Sequence, residues 1–187
     1  MSQKTWLLSI FALLCISAVI LVFNRKSTTL GGENSDFAIK DTAAITKIFV
    51  ADKNDKTVLL ERTEKGWTAN GFEARPDVIT NLLYTIKNMT VRAPVPKVAF
   101  QNVIKKIASN SVKVEVFTDS ETPEKVFHVG HSNAKKTGTY MLIDKTTTPF
   151  LVHLEGHYGF LESRFGTNIF KWRSNALFAY TKENLKE

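Results

Sequence analysis

Cysteine is nearly missing from this 187-residue sequence, which contains one, Cys15, inside an apolar run near the N-terminus. Residues 16–187 therefore contain no thiol that could form a disulfide bond or ligate a metal cluster. The fold must rest on an ordinary hydrophobic core, and hydrophobic residues make up 43% of the chain. A domain without thiols suits an oxidising compartment such as a bacterial periplasm.

Motifs for catalysis or cofactor binding are also missing. The sequence has no G-x-S-x-G, no P-loop, no G-x-G-x-x-G and no H-E-x-x-H. These motifs carry nucleophilic, phosphate-binding, dinucleotide-binding and zinc-dependent chemistry. The four histidines, at positions 128, 131, 153 and 157, are scattered over different predicted strands and loops. We therefore predict a non-catalytic protein with no cofactor and no metal site.

Acidic residues are absent between Val78 and Val114, a stretch that is rich in basic residues. Its candidate basic face consists of Lys87, Arg92, Lys97, Lys105 and Lys106. With a formal net charge of +7, the chain could use this face to bind anionic lipid, an anionic envelope polymer or an acidic partner. The alternative is a solvated face of two helices. Nucleic acid is not expected, because the aromatic residues do not alternate with the basic ones as on a single-strand platform.

Residues 6–23 form an apolar run without a charged residue, followed by Arg25 and Lys26. As a helix, this run would span about 27 Å, close to the roughly 30 Å hydrocarbon core of a bilayer. It is longer than the apolar part of a usual signal peptide, and no A-x-A site follows it. We predict a transmembrane anchor over residues 1–23. A cleaved signal peptide and a lipoprotein acceptor at Cys15 are the alternatives.

The residues after the predicted anchor divide into a tether and a domain. Residues 24–36 are polar, contain Gly31 and Gly32, and predict a flexible tether that reaches roughly 20 Å on average. Residues 37–187 predict one soluble domain. The charges at the two ends of the anchor nearly balance, so the charge rule does not give its orientation.

The domain begins and ends with predicted strands and has two predicted helices between them. Strands are predicted at residues 45–51, 57–62, 66–68, 112–117, 126–129, 139–143 and 150–154. Pro76 and Asp77 suit the first turn of a helix, the second helix is predicted at residues 98–110, and residues 92–96 predict an extended connector. This order indicates an α+β fold with a strand meander on each side of the helices.

The predicted core brings both helices onto one face of one sheet. Its members are Trp67, Leu82, Ile86, Val103, Ile107, Val112, Val114 and Val116. The aromatic tail, residues 156–180, has two interpretations. It either closes this core or presents a partner surface, for which the candidates are Phe165, Phe170, Trp172 and Arg173, residue types enriched at interface hot spots.

Several short motifs, in this order, resemble one known family. They are residues 45–50, 58–62 and 66–71, the helix at 77–86, the strand at 112–117, Val129 with Gly130, residues 138–142, and Trp172 with Arg173. The chain resembles domain-of-unknown-function family 4340, envelope proteins anchored by one N-terminal helix. The resemblance implies association with ABC-type transport systems, including those of gliding motility, and carries over no catalytic residue.

The sequence thus predicts a membrane-anchored, non-catalytic interaction or accessory module of the bacterial cell envelope. Its expected place is the inner membrane, with a single span and a periplasmic domain, and its expected partner is another membrane or envelope protein. A glycan-binding or anionic-lipid-binding module is the first alternative. An envelope hydrolase is the second.

Overall fold

Strands form where the sequence alternates apolar and polar residues, and helices where apolar residues recur every three or four. The computed structural model describes residues 35–157 and 159–174. The strands are β1 (Lys47–Ala51), β2 (Thr57–Thr63), β3 (Gly66–Ala69), β4 (Phe72–Glu73), β5 (Met89–Pro94), β6 (Val112–Phe117), β7 (Lys125–Ser132), β8 (Thr139–Ile143) and β9 (Phe150–Leu154). The helices are α1 (Pro76–Asn88), α2 (Lys97–Ser109) and α3 (Ile169–Trp172), with a 3-10 helix, η1 (Glu162–Phe165), before α3.

The nine strands of the described residues form one antiparallel sheet, in the order β4-β3-β2-β1-β6-β7-β8-β9-β5. The two predicted meanders are confirmed, because β1 to β4 and β6 to β9 each run through neighbouring strands. Strands β1 and β6 join them, with Val50 opposite Val114. The α+β fold class is therefore confirmed.

Strand β5 corrects the predicted connector at residues 92–96. The chain from Met89 to Pro94 is a strand at the far edge of the sheet, where Val91 lies opposite Val152 of β9. Proline is tolerated on an edge strand because one side of that strand needs no hydrogen-bond donor. The prolines at positions 94 and 96 thus end an edge strand and do not exclude one.

The first face of the sheet carries the main core. Phe127 and Met141 lie there, fully buried, beneath α1 and the aromatic tail. Phe37, near the beginning of the described chain, inserts its ring edge-on against Phe127 and Phe150, with ring centroids 6.2 and 6.3 Å apart. Residues 37–39 are therefore part of the core.

The second face carries a smaller cluster under α2. Val103 and Ile107 pack there against Tyr140 and Leu142. Gly130 permits this close approach, because a Cβ at that position would lie 2.9 Å from Cγ1 of Ile107. Helix α2 is therefore held directly against β7.

The prediction of one core with both helices on one face is wrong. Leu82, Ile86, Val114 and Val116 belong to the first-face core, with Trp67 and Val112 half-buried at its margin. Val103 and Ile107 of α2 belong to the second-face cluster. An amphipathic pattern shows which side of a helix is apolar, but not which face of a sheet that side covers.

The predicted anchor and residues 24–34 of the predicted tether lie outside the described residues, as do Tyr158 and residues 175–187. Within residues 35–157 and 159–174, no helix is long and apolar enough to cross a membrane. The anchor therefore stays a prediction.

Candidate functional site

The aromatic tail closes the first-face core with two of its side chains. Phe165 is fully buried and meets Phe127 edge-to-face at 5.7 Å between ring centroids. Trp172 is 2% exposed, and its indole N–H donates a 2.8 Å hydrogen bond to the carbonyl of Gly166. The prediction that Phe165 and Trp172 belong to a partner surface is wrong, since the core covers both side chains.

The same tail exposes Phe170 and leaves Arg173 half-buried. The Phe170 side chain is 70% exposed. The guanidinium of Arg173 lies 4.2 Å from the ring centroid of Phe72, which is 52% exposed on the edge strand β4. We call Phe72, Phe170 and Arg173 the docking surface. Phe72 was not among the predicted site residues, although Asn70 and Gly71 before it predict a hairpin turn.

Backbone contacts hold the tail against β4. The amide of Arg75 donates to the carbonyl of Trp172 at 2.7 Å, and the amide of Ser174 donates to that of Glu73 at 2.8 Å. At the other end of α3, the side chain of Asn168 accepts from the amide of Phe170 at 3.1 Å. Phe170 is therefore exposed on a turn that is capped at one end and anchored to the sheet at the other.

A cavity of about 420 Å³ lies between α1 and the tail, and we call it the α1 groove. Three cationic residues line it, Arg75, Arg164 and Lys171, together with the polar side chains of Asn81 and Ser163. Trp172 contributes to its apolar wall. The groove thus combines positive charge, neutral hydrogen-bonding groups and an aromatic surface.

Arg164 is held in the groove by neutral groups. Its Nη1 donates to Thr85 Oγ1 at 3.2 Å and lies 3.4 Å from Asn81 Oδ1. Within the described part of the chain, no carboxylate lies within ion-pairing distance of Arg164. Arg75, in contrast, pairs with Asp77 at 2.6 Å, and this hydrogen bond lowers the pKa of the Asp77 carboxyl. Arg164 is therefore fixed in place without being neutralised.

A second cavity of about 500 Å³ lies on the β1–β2 side of the tail and includes Phe170 and Asn70. The hydroxyl of Thr167 donates to Asp52 Oδ2 there at 2.7 Å. This hydrogen bond is the main cause that lowers the pKa of Asp52. The contact attaches the tail to the β1–β2 turn, so the tail lies between two cavities.

The candidate basic face is divided among three elements. Lys97, Lys105 and Lys106 are exposed on α2, over the second face of the sheet. Lys87 is in the last turn of α1, which packs on the first face, and Arg92 lies on β5, where it donates to the carbonyl of Thr137 at 3.4 Å. A surface that binds anionic lipid, an anionic polymer or an acidic partner would therefore consist of the lysines of α2.

Several titratable side chains outside the groove interact with one another or are buried. His128 Nε2 lies 3.1 Å from Asp144 Oδ1, and this contact lowers the pKa of Asp144. Burial raises the pKa of Glu162, whose Oε2 is enclosed without a hydrogen-bond partner. Among the described residues, no group of three or more histidine, cysteine, aspartate or glutamate side chains could hold a metal ion.

No protein family model, no curated protein and no solved structure matches this chain. The resemblance to domain-of-unknown-function family 4340 therefore stays a prediction.

Proposed function

We propose that this protein is a membrane-anchored, non-catalytic interaction module of the bacterial cell envelope that binds another envelope protein through the docking surface. The observation that carries the proposal is the 70% exposed Phe170 on a turn held by the buried side chains of Phe165 and Trp172. A large apolar side chain on a rigid support loses little conformational entropy when a partner covers it. Aromatic and arginine side chains in such places are the usual anchors of interfaces.

The chemistry of the docking surface indicates a partner with apolar and acidic side chains. Arg173 already stacks on Phe72, which leaves the edge of its guanidinium for a carboxylate. The formal net charge of +7 would also favour an acidic partner over long range. A tether that reaches roughly 20 Å keeps the domain near the bilayer. Another membrane protein is therefore the partner that best fits both the chemistry of the docking surface and the position of the domain near the bilayer.

Site-specific photocrosslinking in living cells tests this proposal. A photoreactive phenylalanine analogue placed at Phe170 should give a defined adduct with another envelope protein, and Arg173→Glu in the same chain should reduce that adduct at least tenfold. The matched control is the analogue at Tyr84, an exposed aromatic residue of α1. Equal adducts from positions 170 and 84, or no effect of Arg173→Glu, would show that the docking surface is not the interface.

Reporter fusions test the proposed periplasmic location. Alkaline phosphatase fused after Glu187 should be active, because that enzyme needs an oxidising compartment to form its disulfides. A fluorescent protein that matures only in the cytoplasm should be dark at the same position. The reverse pair of results would place the domain on the cytoplasmic side.

A second candidate function rests on α2. Its Val98 is 97% exposed, beside Lys97 and on the same helix as Lys105 and Lys106. An apolar residue among lysines is suited to an anionic bilayer surface. If α2 binds the bilayer, the backbone amides of α2 in the full chain should exchange more slowly in nanodiscs that contain phosphatidylglycerol than in nanodiscs of phosphatidylcholine alone. Lys105→Glu with Lys106→Glu should abolish the difference.

A further inference from the structure

We propose that the α1 groove is a binding site for a phosphate group carried by a small organic molecule or by a lipid headgroup. The groove is separate from the docking surface, although both are built on the aromatic tail. The basis is Arg164, which hydrogen bonds hold in the groove but which has no carboxylate partner among the described residues.

Arg164 is the centre of the site. A guanidinium that loses part of its water needs hydrogen-bond partners, and a fully buried one is usually paired with a carboxylate. Here Arg164 donates to the uncharged side chains of Asn81 and Thr85, and its Nη2 lies 3.5 Å from Nε2 of His157. A guanidinium has about five N–H donors, so donors remain for an added anion. The contacts that fix its plane also reduce the entropy lost when an anion binds.

Lys171 gives the groove a second positive charge from the tail. In the described residues it has no carboxylate within ion-pairing distance. Arg75 adds a third cation, but Asp77 offsets it through their 2.6 Å ion pair. The uncompensated charge in the groove therefore comes from Arg164 and Lys171. A phosphate, with charge near −2 and several acceptor oxygens, suits two such cations better than a single carboxylate does.

The remaining lining indicates what the phosphate is attached to. Ser163 and Asn81 offer hydrogen bonds, and Val78, Leu82 and Trp172 form an apolar wall. The volume of about 420 Å³ exceeds what a phosphate ion needs and lies in the range of roughly 300–1,000 Å³ usual for small-molecule sites. The ligand should therefore be a phosphate ester with a short polar or apolar group attached.

The test uses the full chain in mild detergent, with sodium phosphate and glycerol phosphate as soluble probes at constant ionic strength. Phosphorus NMR titration should show saturable binding to the wild-type protein. Arg164→Gln and Lys171→Gln should each weaken it at least fivefold, while Lys105→Gln, the same charge change on α2, should leave it unchanged. Lys171 is exposed, so its variant remains informative even where Arg164→Gln lowers stability.

A second arm separates the two sources of phosphate. The same proteins are placed in nanodiscs of phosphatidylcholine with or without phosphatidic acid, and exchange of the α1 amides is measured. Saturation by glycerol phosphate identifies a soluble ester, whereas protection that depends on phosphatidic acid and on Lys171 identifies a lipid headgroup.

The Phe170→Ser variant should bind phosphate as the wild type does, so failure of the docking surface would not affect this result. Absence of saturable binding in both arms, or equal binding by wild type, Arg164→Gln and Lys171→Gln, would overturn the proposal.

Discussion

The two faces of the same sheet are buried to different degrees. On β1 and β2, Ile48 and Leu60 are fully buried on the first face, whereas Phe49 and Leu59, on the other side of the same strands, stay half-buried. Helix α1, residues 37–39 and the aromatic tail all pack on the first face. An antiparallel sheet can be stable with one well-buried face, so most of the stability of this domain should come from the first face.

This difference bears on where the candidate sites are. The docking surface and the α1 groove are both built on the aromatic tail, which the first-face core holds through Phe165 and Trp172. Sites supported by packed elements keep their geometry better than sites on free loops. The second face presents α2, with its exposed lysines, on a smaller cluster. Substitutions on the two faces should therefore have unequal effects on stability.

The largest effect is expected from a charge in the first-face core. Val114→Asp should prevent cooperative folding, because an unpaired buried carboxylate costs several kcal/mol and Val114 is fully buried. The measurement is the thermal melt of the full chain in mild detergent. Glu115→Gln, the next residue on the opposite face, is the control and should melt within a few degrees of the wild type. A near-native melt with aspartate at position 114 would contradict the assignment of the first face as the stabilising one.

A smaller loss is expected from the tail. Trp172→Ala should lower the free energy of unfolding by about 3–5 kcal/mol, as for other buried tryptophans. The thermal midpoint should fall by on the order of 10 °C. Phe170→Ala, in the same turn but exposed, should leave the midpoint nearly unchanged. If both variants melted like the wild type, the tail would not be part of the core, and the rigid support proposed for the docking surface would be lost.

Matched truncations compare the two faces directly. Ile86→Ala on α1 and Ile107→Ala on α2 remove the same atoms from residues that are 0% and 3% exposed. Such substitutions cost about 2–5 kcal/mol, and less where neighbours can close the space. We expect Ile86→Ala near the upper end and Ile107→Ala near the lower end, measured by urea denaturation. Equal losses would show that the second-face cluster is as tightly packed as the core.

The sequence predicted local structure better than it predicted which elements meet. Residues 112–117 alternate clearly, so both the strand β6 and the facing of Val114 were predictable and are confirmed. Strand β5 was missed because its partner β9 follows much later in the chain, and local pattern does not report such pairing. The α1 groove was missed for a similar reason. Asn81 and Thr85 come from α1 and Arg164 from the tail, and no motif links the two segments.

The smallest effect is expected from a hydrogen-bonded contact between two side chains on the second face. His128 and Asp144 connect β7 to the end of β8 at 3.1 Å, with side-chain exposures of 18% and 32%. Because this contact lowers the pKa of Asp144 in the folded protein, its stabilisation is present above the unfolded pKa of the carboxyl and is lost as the pH falls through the folded one. Asp144→Asn should therefore cost roughly 1 kcal/mol or less near pH 6.

The pH dependence makes this small effect measurable. The difference between Asp144→Asn and the wild type should shrink as the pH is lowered below about 4, because the carboxyl is protonated first in the unfolded chain and, with its lowered pKa, only at more acidic pH in the folded protein. The measurement is a series of urea denaturation curves between pH 3 and pH 6, with Glu121→Gln, an exposed change of equal charge in the loop after β6, as the control. A difference that grew toward acid, or one as large as that of Ile107→Ala at pH 6, would show that polar contacts and not the α2 cluster hold the second face together.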